Sequence, residues 1–499
     1  MEREALSDKV ILHEDLGTNA SYTWPLLIES TPGCVEEAFK NAAYTVKERY
    51  VQQRLIPMAM EPRAIAAVPQ PFGGDVTMYS ATQIPHILKV MAALTLGIPE
   101  HQLRIIAPSV GGGFGSKLDV YAEELLCLAL SRKHNVPVRW VEERSENAHA
   151  TIHGRGQIQH VELAADKDGK LTAVRFRIIA DMGAYLQLVT PGVPLLGAFL
   201  YAGVYNLPQA YDFSCTGVFT SLTPTDAYRG AGRPEATYAI ECGMDALARK
   251  MNIDPYELRK RNFIQKEQFP YTAFSGLTYD SGDHALAAEK ATQMADYAGI
   301  RKQQVTQNVP GAAKRIGIGM ASYFEMCGLA PSRVLASLNY GAGGWEAATV
   351  RVLPTAKVQV VTGTSPHGQG HETSWAMIAS EKLGIPIEGL CDGFSWKSQD
   401  LEHSAQLARQ GWLKAKASIL SGEYFLVVLD EMTYPLIYGW LDLNDVCETL
   451  KQRPQSVHVC ITGRRCPAEI IELADTVSEI TMVKHAFQAG IPAQRGIED

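Results

Sequence analysis

The sequence predicts a mixed α/β protein built from more than one domain, and three observations predict it. Residues 103–108, 111–115 and 120–133 run as strand, glycine-rich loop and amphipathic helix, and 358–362, 365–370 and 372–383 repeat that order. Two alternating runs between 157 and 180 flank the turn Asp166-Lys167-Asp168-Gly169, which is a hairpin signature. Beyond residue 388 a helix at 401–421 is followed by the apolar runs 425–429 and 457–462, which read as strands of a buried parallel sheet.

A chain of 499 residues is too long for one ordinary core. Hydrophobic residues make up 46% and charged residues 20%, with a mean hydropathy of −0.08, values of a globular chain rather than a disordered one. The net charge of −8, from 46 Lys+Arg against 54 Asp+Glu, provides no broad basic field, so neither nucleic acid nor an anionic membrane surface is expected as a partner. Nine cysteines occur without a C-x-x-C pair, and the start Met1-Glu2-Arg3-Glu4-Ala5 has no basic n-region before an apolar stretch. These features predict a reducing, cytoplasmic setting and no signal peptide. The one long uncharged run, 182–211, contains Pro191, Pro194 and Pro208, and therefore predicts buried irregular backbone and no membrane span.

Residues 1–30 are polar and turn-rich. Between 34 and 49 apolar residues fall at helical spacing (Val35, Ala38, Phe39, Ala42, Ala43, Val46), then alternate over 50–54, and an α/β domain is predicted to begin there. Residues 76–80 and 138–142 are strand-like on either side of the 103–133 segment. A helix is predicted over 234–250 and a shorter one over 252–260, which contains the start signal Asp254-Pro255.

Three segments carry candidate chemistry. Val110-Gly111-Gly112-Gly113-Phe114-Gly115-Ser116-Lys117 lies between a strand and a helix, where backbone N–H groups and the helix dipole can cradle an anion; tight packing of backbone is the alternative. It is not a P-loop, because Ser116 intervenes where G-x-x-x-x-G-K-[ST] requires the lysine. Asp226-Ala227-Tyr228-Arg229-Gly230-Ala231-Gly232-Arg233-Pro234-Glu235 sets two arginines among small residues ahead of a helix, a pattern suited to an oxyanion or phosphate, or to a solvated turn. His367-Gly368-Gln369-Gly370-His371-Glu372 carries histidines at i and i+4, yet its glycines oppose the helix that zinc ligation at this spacing needs, and His149 with His153 reads the same way.

Together with Ser80-Ala81-Thr82-Gln83-Ile84-Pro85-His86, these segments resemble the molybdopterin-binding large subunit of the xanthine dehydrogenase/aldehyde oxidase/carbon monoxide dehydrogenase family, from about residue 7 to 388. The resemblance implies a truncated two-lobed molybdopterin-binding domain: a remnant of a preceding domain over 1–31, a first lobe over 32–270 and the start of a second over 271–388. It implies molybdopterin in the cytosine dinucleotide form, with molybdenum held by the pterin and by no protein ligand. Gln83 matches the glutamine that hydrogen-bonds an oxygen ligand of molybdenum. Gly112, Gly113, Phe114 and Gly115 match the loop whose backbone approaches the cofactor, Arg229 with Gly230 matches the active-site arginine motif, and Gln369 with Gly370 matches a further cofactor contact. Gln83, Phe114 and Arg229 are thus the implied catalytic residues. The implied reaction is hydroxylation of an aldehyde or heterocycle with oxygen from water, electrons leaving through iron–sulfur and FAD-binding subunits. Members that oxidise carbon monoxide carry Cys after this arginine; Gly230 stands here, which points to an aldehyde or aromatic heterocycle. The family's catalytic base is a glutamate in a downstream G-E-[GSP] motif, which does not occur in the 499 residues, so impaired activity is expected.

Phe425-Leu426-Val427-Val428-Leu429-Asp430-Glu431 is an apolar strand ending in two carboxylates, a form suited to Mg²⁺ beside a nucleotide. With Gly393-Phe394-Ser395-Trp396, Tyr438-Gly439-Trp440-Leu441, Ile461-Thr462-Gly463-Arg464 and Val483-Lys484-His485-Ala486-Phe487 it resembles the C-terminal part of the cob(I)yrinic acid a,c-diamide (corrinoid) adenosyltransferase, over 391–499. This implies a partial P-loop-type parallel-sheet α/β domain, with Asp430 and Glu431 at an Mg-ATP site and Phe394 and Trp396 against a corrinoid. The P-loop motif itself is absent from the chain. The whole reads as a truncated hydroxylase subunit joined near 387–391 to the back half of an adenosyltransferase. A fusion with a new role, a non-catalytic remnant and an artefactual hybrid are its three readings.

Overall fold

The longest strands of the chain gather in one five-stranded sheet. In the computed structural model, which describes residues 5–70, 74–207, 210–326, 346–352, 358–383, 401–424, 426–429 and 431–479, the chain divides into two units, Met1–Trp375 and Ala376–Asp499. The first unit begins with β1 (Ala20–Glu29), α1 (Cys34–Asn41), β2 (Tyr44–Leu55), β3 (Ala64–Pro69), β4 (Val76–Ser80), α2 (Pro85–Leu96), β5 (Leu103–Ile106), α3 (Ala122–His134) and β6 (Val138–Val141). It continues with α4 (Arg144–Ala150), β7 (Gly154–Ala165), β8 (Leu171–Gly183), α5 (Gly192–Ala198), β9 (Ala210–Phe219), α6 (Arg233–Met251) and α7 (Pro255–Asn262).

The large sheet has the order β1-β9-β8-β7-β2. The β7–β8 hairpin is antiparallel with Phe176 opposite Val161, and its turn is held by Asp166, whose carboxylate accepts the N–H groups of Asp168 and Lys170 at 2.9 Å each. β8 and β9 run parallel, so the sheet is mixed and not simply antiparallel as the hairpin alone suggests. Against one face packs α6, whose Ala236, Ala239, Ile240, Met244 and Leu247 are buried with Leu163, Phe176, Tyr201 and Phe213. Large apolar side chains buried in this way contribute about 1.5–3 kcal/mol each. The small Ala164, Ala173 and Ala210 of the sheet pack with Val35 of α1.

Two sequence readings are corrected here. The turn-rich start contains a ten-residue strand, β1, paired with β9. The helix begun at Cys34 ends at Asn41, and Val46 belongs to β2, where it faces Leu163 across the ladder. Alternation continues from 44 to 55, and the helical spacing counted through Val46 was the coincidence of a short helix meeting a strand.

The smaller sheet, order β5-β4-β3-β6, packs with α2 and α3 through Met78, Leu88, Ala92, Leu103, Cys127 and Leu128. Glu123 and Glu124 sit in the first turn of α3 and Arg132, Lys133 and His134 in its last, matching the helix dipole at both ends. β4 and β5 are parallel neighbours, so the chain leaves both at the same edge. That edge is where open α/β sheets present ligand sites. A separate antiparallel pair, Ala348–Val352 with Val358–Thr362, precedes the helix His371–Leu383.

In the second unit Leu426–Leu429 and His458–Ile461 are parallel, as the two apolar runs predict. The helices Leu401–Ser421 and Leu443–Gln452 share a core with them through Trp412, Ile419, Leu429, Val446 and Leu450.

Candidate functional site

The segments leaving β4 and β5 meet at one side chain. Gln83 follows β4, and its carboxamide oxygen accepts the N–H of Gly115 at 2.9 Å and of Lys117 at 3.3 Å, while its own N–H donates to the Lys117 carbonyl at 2.8 Å. The glycine loop is thereby wrapped around Gln83. Gly113 lies so close that a Cβ there would stand 2.4 Å from the Gln83 oxygen. Lys117 is not offered to the site: its ammonium is buried and pairs at 2.7 Å with Glu61, whose same oxygen accepts the Gly111 N–H. Burial pulls the Lys117 pKa down, against the pull of Glu61.

The arginine loop closes on the glycine loop through main chain. Arg229 N–H donates to the Phe114 carbonyl at 2.9 Å, and a Cβ on Gly115 would stand 1.8 Å from the Ala227 carbonyl oxygen. The Arg229 guanidinium lies 5.8 Å from the centre of the Phe114 ring and has no protein acceptor among the described residues. Phe114 itself adopts φ 55, a left-handed backbone that places the ring at the surface.

Arg155, at the start of β7, holds the arginine loop from behind. It donates to the carbonyls of Tyr228 at 3.1 Å and Arg229 at 2.7 Å, and pairs with the buried Glu235 at 3.2 Å. Glu235 in turn accepts the Gly232 N–H at 2.9 Å and so caps α6. Burial pushes the Glu235 carboxyl up, opposed first by Arg155. Sequence reasoning missed Arg155; the only local signal is an arginine between the glycines Gly154 and Gly156 at a strand start.

A second group it missed is the buried pair Asp119 and Asp226. Asp119 accepts the N–H of Leu188 at 3.0 Å, and Asp226 accepts the N–H of Val189 at 2.9 Å and the Thr190 hydroxyl at 3.0 Å. The two carboxyls thus tie the glycine loop, the arginine loop and the 188–190 segment together. Burial, reinforced by the charge of Asp226, pushes the Asp119 carboxyl up to about 7. In the unfolded chain it titrates near 3.8, so the native state holds this proton longer and stability falls as pH rises from about 4 to about 7, then levels off. Asp119→Asn is expected to remove that slope and to raise the melting temperature at pH 8 relative to the parent; parallel melting curves from pH 5 to 8 would contradict it.

The candidates from the glycine-loop, glutamine and arginine segments, Gln83, Gly112, Gly113, Phe114, Gly115, Arg229 and Gly230, come together in this one place. From the 367–370 loop His367 reaches Gln83 at 3.3 Å, and Gln369 lies against His367. Gly370 ends the loop with φ 74. In the tail Glu431 is exposed and its N–H is bonded to the Thr462 hydroxyl at 2.9 Å. Phe394, Trp396 and Asp430 lie outside the described residues.

The model of the molybdopterin cofactor-binding domain matches residues 12–263. The chain belongs to that family. A second molybdopterin cofactor-binding model matches residues 290–390. The model of the ATP:corrinoid adenosyltransferase matches residues 359–498, so the tail belongs to a second family. The carbon monoxide dehydrogenase large chain of Hydrogenophaga pseudoflava is 36% identical over 397 residues, covering 76% of this chain and 49% of that protein. The corrinoid adenosyltransferase of Escherichia coli (strain K12) is 40% identical over 141 residues, covering 28% of this chain and 68% of that protein. Among solved structures, quinoline 2-oxidoreductase from Pseudomonas putida 86 superimposes with a TM-score of 0.71 at 33% identity, covering 77% of this chain and 48% of that one. The chain spans about half the length of the molybdenum relatives it matches.

The molybdopterin family's group fits these residues. Among the described residues no three His, Cys, Asp or Glu are gathered as metal ligands. The N–H groups of Gly113 and Phe114 have no protein acceptor among the described residues, and Gly113 is buried. Buried donors of that kind are normally satisfied, and an oxygen-rich group seated on the loop would satisfy them. No helix among the described residues is long and apolar enough to cross a membrane.

Proposed function

We propose that the molybdopterin-binding part of this chain holds the cytosine dinucleotide form of the cofactor and serves as the substrate-binding large subunit of a molybdenum hydroxylase acting on an aldehyde or aromatic heterocycle. The observation that carries the reading is the convergence of the Gln83 carboxamide, the Gly113-Phe114-Gly115 backbone and the Arg229 guanidinium, which has no protein acceptor among the described residues. When bound, the cofactor supplies a metal centre that passes a water-derived oxygen to an electrophilic carbon and takes up the electron pair.

The residues of the chain do the holding. Gln83, its oxygen committed to two backbone N–H groups, presents its NH₂ as a donor of fixed direction. The N–H groups of Gly113 and Phe114, without a protein acceptor among the described residues, bind an anionic or oxygen-rich group, and Arg229 offers a cation to a phosphate or to a substrate carbonyl. The exposed Phe114 ring gives a planar substrate a face to lie against. Gly230 follows the arginine at φ 93, where an added Cβ would stand 2.7 Å from the Pro234 ring, so the position is ill suited to the cysteine of a carbon monoxide-oxidising site, which supports the aldehyde or heterocycle.

The proposed domains are a remnant over 1–31, a first lobe over 32–270, a second lobe begun over 271–388 and the tail over 391–499. Iron–sulfur and FAD-binding subunits in the cytoplasm are the proposed electron acceptors. The chain holds no G-E-[GSP] glutamate, and slow turnover beside normal cofactor binding follows. Protein purified from a host that makes the cofactor is expected to contain near-stoichiometric molybdenum and to release CMP on acid hydrolysis. Folded but metal-free protein would overturn the reading.

For the tail, the adenosyltransferase match favours a second reading: a partial P-loop-type domain with Mg-ATP at Asp430 and Glu431 and a corrinoid against Phe394 and Trp396. The absent P-loop motif leaves the triphosphate without its usual backbone cradle.

A further inference from the structure

Gln83 and His367 are 284 residues apart in the chain, and their side-chain nitrogens Nε2 and Nε2 are 3.3 Å apart. The hydrogen-bond network fixes which atoms these are. Two backbone N–H groups, of Gly115 and Lys117, face one terminal atom of Gln83, so that atom is the acceptor Oε1 and the other is the NH₂. On His367, Nδ1 lies 3.1 Å from the Ser365 carbonyl oxygen, and only a protonated nitrogen bonds a carbonyl. The proton is therefore on Nδ1, and Nε2 is the bare acceptor that the Gln83 NH₂ needs. The tautomer and the amide orientation support each other.

The imidazole is itself held. The Gln369 oxygen accepts the His367 backbone N–H at 2.6 Å, and the Gln369 amide nitrogen, 3.3 Å from both ring nitrogens, finds an acceptor only in Nε2, the nitrogen that also faces Gln83. The charged and titratable groups facing the ring are His371, one turn on, and Lys117 across the glycine loop, the latter paired with Glu61. Burial first, with smaller contributions from the neighbouring His371 and Lys117, holds His367 below its ordinary pKa, against the pull of the Ser365 carbonyl. All of this favours the neutral ring. A second proton on Nε2 would set donor against donor and turn the Gln83 amide away.

We propose that His367 is a positioning residue: its neutral ring accepts one hydrogen of the Gln83 carboxamide and so aims the other at the group held by the glycine loop. The inference rests on the molybdopterin reading. It gives the histidine of the 367–371 pair a role that needs no zinc, and it joins the 367–370 loop to the β4–β5 edge by a single hydrogen bond.

Two measurements test it. In cofactor-free protein labelled with ¹⁵N-histidine, the His367 resonances, assigned from their loss in His367→Gln, are expected to show the Nδ1–H neutral tautomer at pH 7, and Gln83→Leu is expected to shift the Nε2 signal. A ring protonated at pH 7, an Nε2–H tautomer, or an Nε2 signal indifferent to Gln83→Leu overturns the proposal. In cofactor-loaded protein, His367→Leu is expected to lose molybdenum on dialysis about 5- to 10-fold faster than the parent, the size of one net hydrogen bond. His367→Gln, which keeps an acceptor, is expected to restore the slow rate, and His367→Leu is expected to add nothing on a Gln83→Leu background. Parent protein that holds molybdenum while His367→Leu releases it at the same rate overturns this inference alone. Parent protein that holds none overturns the molybdopterin reading and this inference with it.

Discussion

Gly115→Ala is expected to cost about 4 kcal/mol or more and to leave the purified protein without molybdenum. The added Cβ would stand 1.8 Å from the Ala227 carbonyl oxygen and 2.7 Å from its carbon, so the clash is with backbone and no side chain can swing away. The residue also sits at φ 105, which an alanine reaches only under strain. Losses above about 4 kcal/mol arise from few causes, and overpacking together with backbone strain are two of them. Gly97→Ala separates the two contributions. Gly97 caps α2 in the same left-handed half of conformational space, at φ 63, with nothing within 4 Å of the added carbon, and should cost only about 1 kcal/mol. Chemical denaturation of both variants, with metal analysis, is the measurement. Equal losses would mean that strain and not the contact between the two loops is what matters at Gly115.

Arg155→Ala is expected to destabilise by about 3–5 kcal/mol, the range for stranding one partner of a buried ion pair. Glu235 is 1% exposed and would be left without its cation, and the carbonyls of Tyr228 and Arg229 would lose a donor each. The ring of Tyr228, 4.5 Å beneath the guanidinium, would lose its cover as well. The double change Arg155→Met with Glu235→Gln should recover much of the loss, because the glutamine no longer demands a counter-charge and still accepts the Gly232 N–H. Denaturation midpoints of the parent, Arg155→Met, Glu235→Gln and the double variant give the coupling. A single Arg155→Ala variant as stable as the parent would show that water reaches Glu235.

What the sequence displays is what neighbours in the chain decide. The turn at Asp166–Gly169 contains its own hydrogen bonds, α3 carries its charges at its own ends, and both are read correctly from a dozen residues. The strand Ala20–Glu29 was overlooked because its partner is β9, some 190 residues on, and nothing in its own composition reports that ladder. The site divides in the same way. Gln83, the glycine loop and Arg229 stand in dense local motifs. Arg155 and Asp119 are single polar residues outside those motifs, Asp226 is the unremarked first residue of the arginine segment, and only folding, which sets Asp119 and Asp226 on adjacent N–H groups at Leu188 and Val189, gives the two carboxyls a common task. The visible feature of His367 is its spacing to His371, whereas its contact is with Gln83, which follows β4 of the smaller sheet.

The joint between α5 and the arginine loop is made of main chain on both sides. A Cβ on Gly232 would stand 2.2 Å from the Val193 carbonyl oxygen, and one on Gly197 would stand 2.8 Å from the Gly232 oxygen. Such a joint has no rotamers to rearrange, so it cannot give way by degrees as a seam of leucines does. It stays seated or it parts along its length. In that respect it works as a latch and not as a hinge, and a side chain at Gly232 or Gly197 would unseat it rather than loosen it.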